Sequence, residues 1–264
     1  MDNRIRIMAV GDVVGQYSTE KLCRNISALK RKYLADVMIV NAENAAKGNG
    51  TDVYSADRLL HFGADVLTGG NHTFRRSEMR DYLDGSTYCI RPANYPEPCP
   101  GRGYTLLDAC GARFLVMNVL GRVFMDPLEN PFRTVEKILS EHEGKYDVSI
   151  LDVHAEATSE KLALANYFDG RITAVFGTHT HVQTSDARLL PKGTAFVSDL
   201  GMTGRPDSIL GVDCDAIIEH FVTGRPTKFS VGDGETECDF AVITVNRDSF
   251  RAESIETFRE IITL

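Results

Sequence analysis

The chain alternates short apolar runs with amphipathic stretches. Residues 5–12 (IRIMAVGD) form an apolar run ending in Gly-Asp, and residues 19–33 follow with Leu22, Ile26 and Leu29 at helical spacing. A second apolar run, 36–44 (DVMIVNAEN), also ends in polar residues, and leads to a helical segment at 54–62, a short strand at 65–68 that runs into GGNHTF, and a helix at 78–83. The region 86–108 is rich in Pro and Gly and predicts an ordered loop feeding a strand at 103–108. A buried strand at 112–121 precedes a long polar-aromatic loop, and a helix at 135–143, a strand at 147–156, a helix at 159–168 and an apolar run at 172–182 continue the alternation. A strand near 194–201, a helix at 214–223 and two strands at 238–246 and 249–257, joined by the turn NRDS, close the chain. This pattern predicts an α/β protein: a mostly parallel sheet flanked by helices, with antiparallel strands from the second half. No shift in composition marks a boundary, so residues 1–264 are expected to form one domain.

The polar residues collect where the apolar runs stop. Five predicted strands end in GD, NAEN, GGNH, DVH and GTHTH, bringing Asp12, Glu43, Asn44, Asn71, His72, His154, His179 and His181 towards one edge. Ligands of parallel α/β sheets bind outside the carboxyl ends of the strands. Each residue alone has a structural explanation: Asp12 suits a helix N-cap, Glu43 an arginine partner, Asn71 a turn. Eight polar groups at one edge are costly to desolvate unless something pairs with them. In an extended segment His179 and His181 would project to the same side with α-carbons roughly 6.5–7 Å apart. That spacing suits two ions about 3.5–4 Å apart, one imidazole each, and predicts a binuclear site. His61, His142 and His220 stand alone and are read as packed or exposed.

Composition narrows the substrate. The net charge of -8 lacks the basic footprint of a protein that grips long nucleic acid, so any phosphate is met locally, by metal ions or a few arginines. No apolar stretch is long enough to span a bilayer and the first residues lack signal-peptide anatomy, so a cytoplasmic protein is expected. The six cysteines are scattered without a Cys-x-x-Cys pair and are expected to be reduced and mostly buried. GDVVG is not followed by Gly-Lys-Ser/Thr and is no P-loop.

In this order and at these spacings, GDVVG, NAEN, GGNHTF, DVHAEATSEK and GTHTHVQT resemble the YmdB-type bacterial metallophosphoesterases, a branch of the calcineurin-like phosphoesterase superfamily. RPANYP, GRGY, LGRVFM, NPFRT and SDLGMTG also match, so the resemblance runs end to end. Two departures from the wider superfamily are typical of this branch: no histidine in Asp12-Val13-Val14, and Glu43 where an aspartate usually bridges the metals. The resemblance implies a double β-sheet sandwich with helices on both outer faces, the four-layer α/β/β/α metallophosphoesterase fold. It implies one metal held by Asp12, Glu43, Asn44 and His181, another by Glu43, Asn71, His154 and His179, and His72 as general acid. Two divalent cations against the carboxylates of Asp12 and Glu43 would leave a net positive site, with a hydroxide shared by the metals as nucleophile. Imidazole, carboxylate and amide ligands suit Fe, Mn or Zn, and the resemblance favours iron or manganese.

The implied activity is a phosphodiesterase acting on cyclic nucleotides, notably 2′,3′-cyclic ones, and self-association is an expectation from the resemblance alone. Arg91, Arg122 and Arg133 in the long loops are candidates to contact phosphate or base, Tyr95, Phe124 and Phe132 to stack on a base, and Met202 to line the mouth of the site. An amidohydrolase would place its His-x-His on an early barrel strand and would leave Glu43 and Asn71 unexplained. A metal- and nucleotide-binding regulatory protein, acting through a partner with little turnover, would use the same residues.

Overall fold

The computed structural model describes residues 3–228 and 230–263. The runs buried on both faces become the central strands of two packed sheets. In the first, β1 (Arg4–Val10) pairs in parallel with β3 (Val37–Asn41), which pairs in parallel with β4 (Val66–Thr68). On its other side β1 pairs antiparallel with β12 (Thr236–Asn246), itself antiparallel to β13 (Ala252–Ile262). The two-residue β2 (Asp12–Val13) and β11 (Met202–Gly204) complete this sheet, with Met202 in register with Asp12. The second sheet runs β5 (Tyr104–Ala109), β6 (Ala112–Leu120), β7 (Val148–His154), β8 (Ala174–Thr178), β10 (Ala195–Val197), β9 (Arg188–Leu189), with β6, β7, β8 and β10 parallel.

The strand period of two sorts the side chains into layers. Ile5, Ile7 and Ala9 of β1 and Phe114 and Val116 of β6 meet in the core between the sheets. Met8 and Val10 face outward onto Leu22 and Ile26 of α1 (Gln16–Tyr33) and Leu59 of α2 (Val53–Phe62), while Leu83 of α3 (Met79–Gly85) joins the same layer. Leu115, Met117 and Val119 pack against Val135 and Leu139 of α4 (Pro131–Glu141) and Leu164 of α5 (Thr158–Tyr167). Each fully buried side chain of this size contributes about 1.5–3 kcal/mol. The four-layer sandwich expected from the motifs is therefore the fold observed. The alternation alone suggests a single, mostly parallel sheet; instead two mixed sheets share the strands.

Local departures have local causes. Helix α4 starts at Pro131, inside the expected loop, because the Asn130 side chain accepts the Phe132 N–H at 2.9 Å and Pro131 takes the first helical position. The turn after β12 is as expected, with Asn246 Oδ1 accepting the Asp248 and Ser249 N–H groups, but β13 begins at Ala252 and reaches Ile262, paired with Thr236. α6 (Cys214–Thr223) matches its expected bounds. All six cysteines are free; Cys23, Cys89 and Cys238 are buried and the other three half-buried. Among the described residues no helix is long and apolar enough to cross a membrane.

Candidate metal centre

The eight candidates do converge, but across two sheets: β1, β3 and β4 lead to Asp12, Glu43, Asn44, Asn71 and His72, and β7 and β8 lead to His154, His179 and His181. Glu43, 1% exposed, stands at the centre. Its Oε2 lies 3.2 Å from His154 Nε2 and accepts the His72 N–H at 3.0 Å, and its Oε1 accepts Asn44 Nδ2 at 2.7 Å. His154 Nε2 also lies 3.1 Å from Asn71 Oδ1 and 3.1 Å from His179 Nδ1. The ligand atoms of Glu43, His154 and His179 all fall within 4.8 Å of one another. A Cβ on Gly70 would overlap Glu43 Oε2 and His154 Nε2, so glycine is what lets the main chain approach them.

On the other side, Asp12 is completely buried; its Oδ2 accepts the His179 N–H at 3.0 Å, but its Oδ1 has no hydrogen-bond partner. His181 Nε2 lies 3.8 Å from that oxygen. The histidine pair reaches these places by a route the alternation argument does not foresee. β8 ends at Thr178, and His179 and His181 adopt left-handed backbone conformations, with φ of 100° and 62°. The turn sends one ring to His154 and the other to Asp12, so the two imidazoles part company instead of projecting side by side.

Each histidine is oriented from behind. His154 Nδ1 lies 2.9 Å from Thr178 Oγ1, which donates to Asp152 Oδ1 at 2.7 Å. A hydroxyl that donates to a carboxylate must accept from the ring, which leaves the His154 Nε2 lone pair facing Glu43 and Asn71. Asp152 is held in turn by Thr68 Oγ1 at 2.5 Å and Asn41 Nδ2 at 3.1 Å. His179 Nε2 meets Glu156 Oε2 at 3.1 Å, and His181 Nδ1 donates to the Leu210 carbonyl at 3.1 Å. In all three rings one nitrogen faces outward to an acceptor and the other turns inward, the arrangement that outer partners impose on metal-bound imidazoles. Inward-facing carboxylate and amide oxygens and ring lone pairs repel unless a proton or a cation lies among them.

Protonation shows the same conflict. Burial alone would raise the Glu43 carboxyl, but the neighbouring His154 and His72 hold it well below the usual range. Burial opposes the His154 charge, yet Glu43 and Asp12 push its pKa up to about 9. Burial and then the nearby His154 lower His179 to about 3, and burial raises Asp12. These residues fit a cation site: buried carboxylates, inward ring nitrogens, an orphaned carboxylate oxygen and no thiolate.

A family model described as YmdB-like protein matches residues 8–258. The chain belongs to the YmdB-like family. A relative from Bacillus subtilis (strain 168) named 2′,3′-cyclic-nucleotide 2′-phosphodiesterase is 44% identical over 252 residues, covering 96% of each chain. A Thermus thermophilus structure described as a hypothetical protein superposes with a TM-score of 0.91 at 39% identity, over 98% of this chain and 100% of that one. A Mycoplasma pneumoniae structure described as a novel phosphatase does so with a TM-score of 0.91 at 31% identity, over 99% and 95%. This YmdB-like chain is thus a phosphoesterase of the metallophosphoesterase sandwich fold.

The outlying candidates fare differently. Arg91 is engaged by its own loop: its guanidinium donates to the carbonyls of Pro100, Pro92 and Cys99 at 3.0, 2.8 and 3.3 Å, which organises the 91–102 segment. Phe132 packs edge-on against Tyr167, and Tyr95 against Phe74. Arg133 and Tyr95 line a cavity of about 990 Å³ that none of the eight candidates lines. Arg122 and Val123 donate their N–H groups to Glu160, leaving Phe124 fully presented, 91% exposed. Asn41, Thr68, Asp152, Glu156 and Thr178 go unnoticed in the sequence, although each lies within three residues of a candidate.

Proposed function

We propose that the chain is a binuclear, metal-dependent phosphodiesterase that hydrolyses cyclic nucleotides, 2′,3′-cyclic ones first and 3′,5′-cyclic ones second. The observation that carries this reading is Glu43, buried between two groups of inward-facing ligand atoms. One divalent ion would be held by Glu43, Asn71, His154 and His179, and the other by Asp12, Glu43, Asn44 and His181. When bound, the ions supply an activated water and neutralise charge on the phosphoryl oxygens. Iron or manganese is the proposed metal; the donor set admits zinc. The name of the Bacillus subtilis relative supports the choice of a cyclic diester.

His72 completes the reaction. Its Nδ1 lies 3.1 Å from Glu43 Oε1 and 2.9 Å from Asn44 Oδ1, and among the described residues its Nε2 has no hydrogen-bond partner. That nitrogen delivers its proton to the ribose oxygen as the P–O bond breaks and the bond from phosphorus to water oxygen forms, giving a monoester. Phe124, held outward on a fixed loop, serves as a stacking surface for the base. The reading includes a single domain, a cytoplasmic location, self-association and small substrates in place of long nucleic acid.

The test is elemental analysis of the purified protein, followed by turnover of 2′,3′-cAMP, 3′,5′-cAMP and bis-p-nitrophenyl phosphate by wild type and His72→Ala. Two metals per chain are expected, and diester cleavage falling about 10²–10⁴-fold in the variant while metal stays. Less than one metal per chain, with no turnover after Mn or Fe is supplied, overturns the reading.

A further inference from the structure

One buried ion pair outside the ligand cluster stands next to three of the candidate ligands. The side chains of Lys161, on α5, and Asp199, just after β10, are each 1% exposed, and Nζ meets Oδ2 at 2.7 Å. The lysine reaches the aspartate across β8 at Gly177, where a Cβ would overlap Lys161 Cδ and the Ser198 carbonyl oxygen. Withdrawing two charges from water is expensive, and well-packed apolar residues in their place are often neutral or better for stability. Stability is therefore a weak reason for this pair, and its hydrogen bonds supply a stronger one.

Asp199 Oδ2 also accepts the N–H of Thr180, the residue between the two histidines, at 3.1 Å. Asp199 Oδ1 accepts the Gly201 N–H at 2.9 Å, and the Gly201 carbonyl accepts the Asp12 N–H at 3.1 Å. Asp199 is itself gripped by Thr184, through its own N–H at 2.9 Å and its carbonyl at 3.1 Å. One carboxylate is thus a single hydrogen bond from the His179–His181 turn and two from Asp12. Both histidines hold left-handed φ values, which side-chain-bearing residues keep only where the surroundings over-determine them. A charged acceptor, roughly twice as strong as a neutral one, is suited to that task.

We propose that Lys161 and Asp199 are a positioning pair that sets the turn carrying His179 and His181, together with Asp12, for cation binding, without touching substrate. The inference rests on the metal-centre reading above. The test uses the full chain stripped of metal, titrated with Mn²⁺ against a competing chelator, with metal-free melting recorded alongside. Lys161→Met/Asp199→Asn removes both charges and leaves one amide oxygen for two N–H donors. Metal-free melting within about 3 °C of wild type is expected, with Mn²⁺ affinity lower by about 10- to 100-fold. Turnover of bis-p-nitrophenyl phosphate should return at saturating Mn²⁺.

Lys161→Gln, which keeps a neutral donor but leaves the Asp199 charge without its partner, is the second variant and should lose about 10-fold in affinity with a lower metal-free melting temperature. Lys30→Met/Asp65→Asn removes a half-buried pair 2.8 Å apart at the opposite end of β4 and should leave affinity alone. Wild-type affinity in either folded Lys161 variant overturns the proposal. So does failure of both to fold, which would make the pair a general support of the domain. If wild type binds Mn²⁺ but cleaves no diester, the proposed activity fails while the affinities still decide the pair's role. If wild type binds neither Mn²⁺ nor Fe²⁺, both fall.

Discussion

The two halves of the centre are built differently. Around His154, every polar group has a partner: Thr178, Asp152, Thr68 and Asn41 form a closed network behind the ring. Around Asp12 and His181, support comes from main-chain groups and a strained turn, and one carboxylate oxygen is left without a partner. A satisfied network holds its geometry with or without a ligand, whereas a buried unpaired oxygen is costly until a cation or proton meets it. The His154 half is preorganised, and the Asp12 half depends on its ligand to be at ease.

Glu43→Gln strikes the residue common to both halves and should have the largest effect, loss of bound metal and of diester cleavage together, seen by elemental analysis and turnover. Separate changes should then tell the halves apart. Asp152→Asn is expected to lower metal affinity by about 10- to 100-fold and to destabilise the metal-free protein, since it breaks a complete network. Asp12→Asn should also cost metal and turnover but raise metal-free stability by about 1 kcal/mol, because the orphaned charge is gone. Equal destabilisation in the two variants, read by denaturant unfolding, would erase the contrast.

A pH series sharpens the same contrast. The His154 pKa is raised from 6.5 to about 9, so its contribution to metal-free stability is fully present below 6.5 and lost as pH rises through about 9. Metal binding must displace that proton, so Mn²⁺ affinity should climb between pH 6.5 and about 9 and then level off. His179, lowered to about 3, is neutral throughout that range and adds no slope. A flat affinity profile would contradict the protonated His154. The smallest effect on activity is expected from Arg91→Ala. It strips three carbonyls of their donor and should cost about 2 kcal/mol of stability, with kcat/KM on a diester within about two-fold of wild type. A large kcat/KM loss with the fold intact would return Arg91 to the substrate.

The strand-end residues were legible because each interrupts an apolar run, and a polar residue at such a break needs a reason that local structure does not supply. Their supports were harder to see. Asp152 sits inside VSILDVH and looks like an ordinary strand residue until Thr68, from the other sheet, is found beside it. Lys161 reads as the polar face of a helix, and only the packing of α5 over Gly177 buries it against Asp199. Arg91 carries the residue type for a phosphate contact, but each of its three side-chain nitrogens donates to a carbonyl of a loop that closes on itself.

The double sandwich was implied by the resemblance of the motifs to a known family; by itself the sequence determined the order of strands and helices and the set of side chains able to meet at the strand ends. Those follow from period, burial and residue chemistry, which act over a few positions. Tertiary structure alone decided the sharing of strands between two sheets, the left-handed turn that separates His179 from His181, and the acceptors behind each imidazole. Those depend on atoms brought together from distant parts of the chain, where contact distance and desolvation, not local pattern, set the outcome.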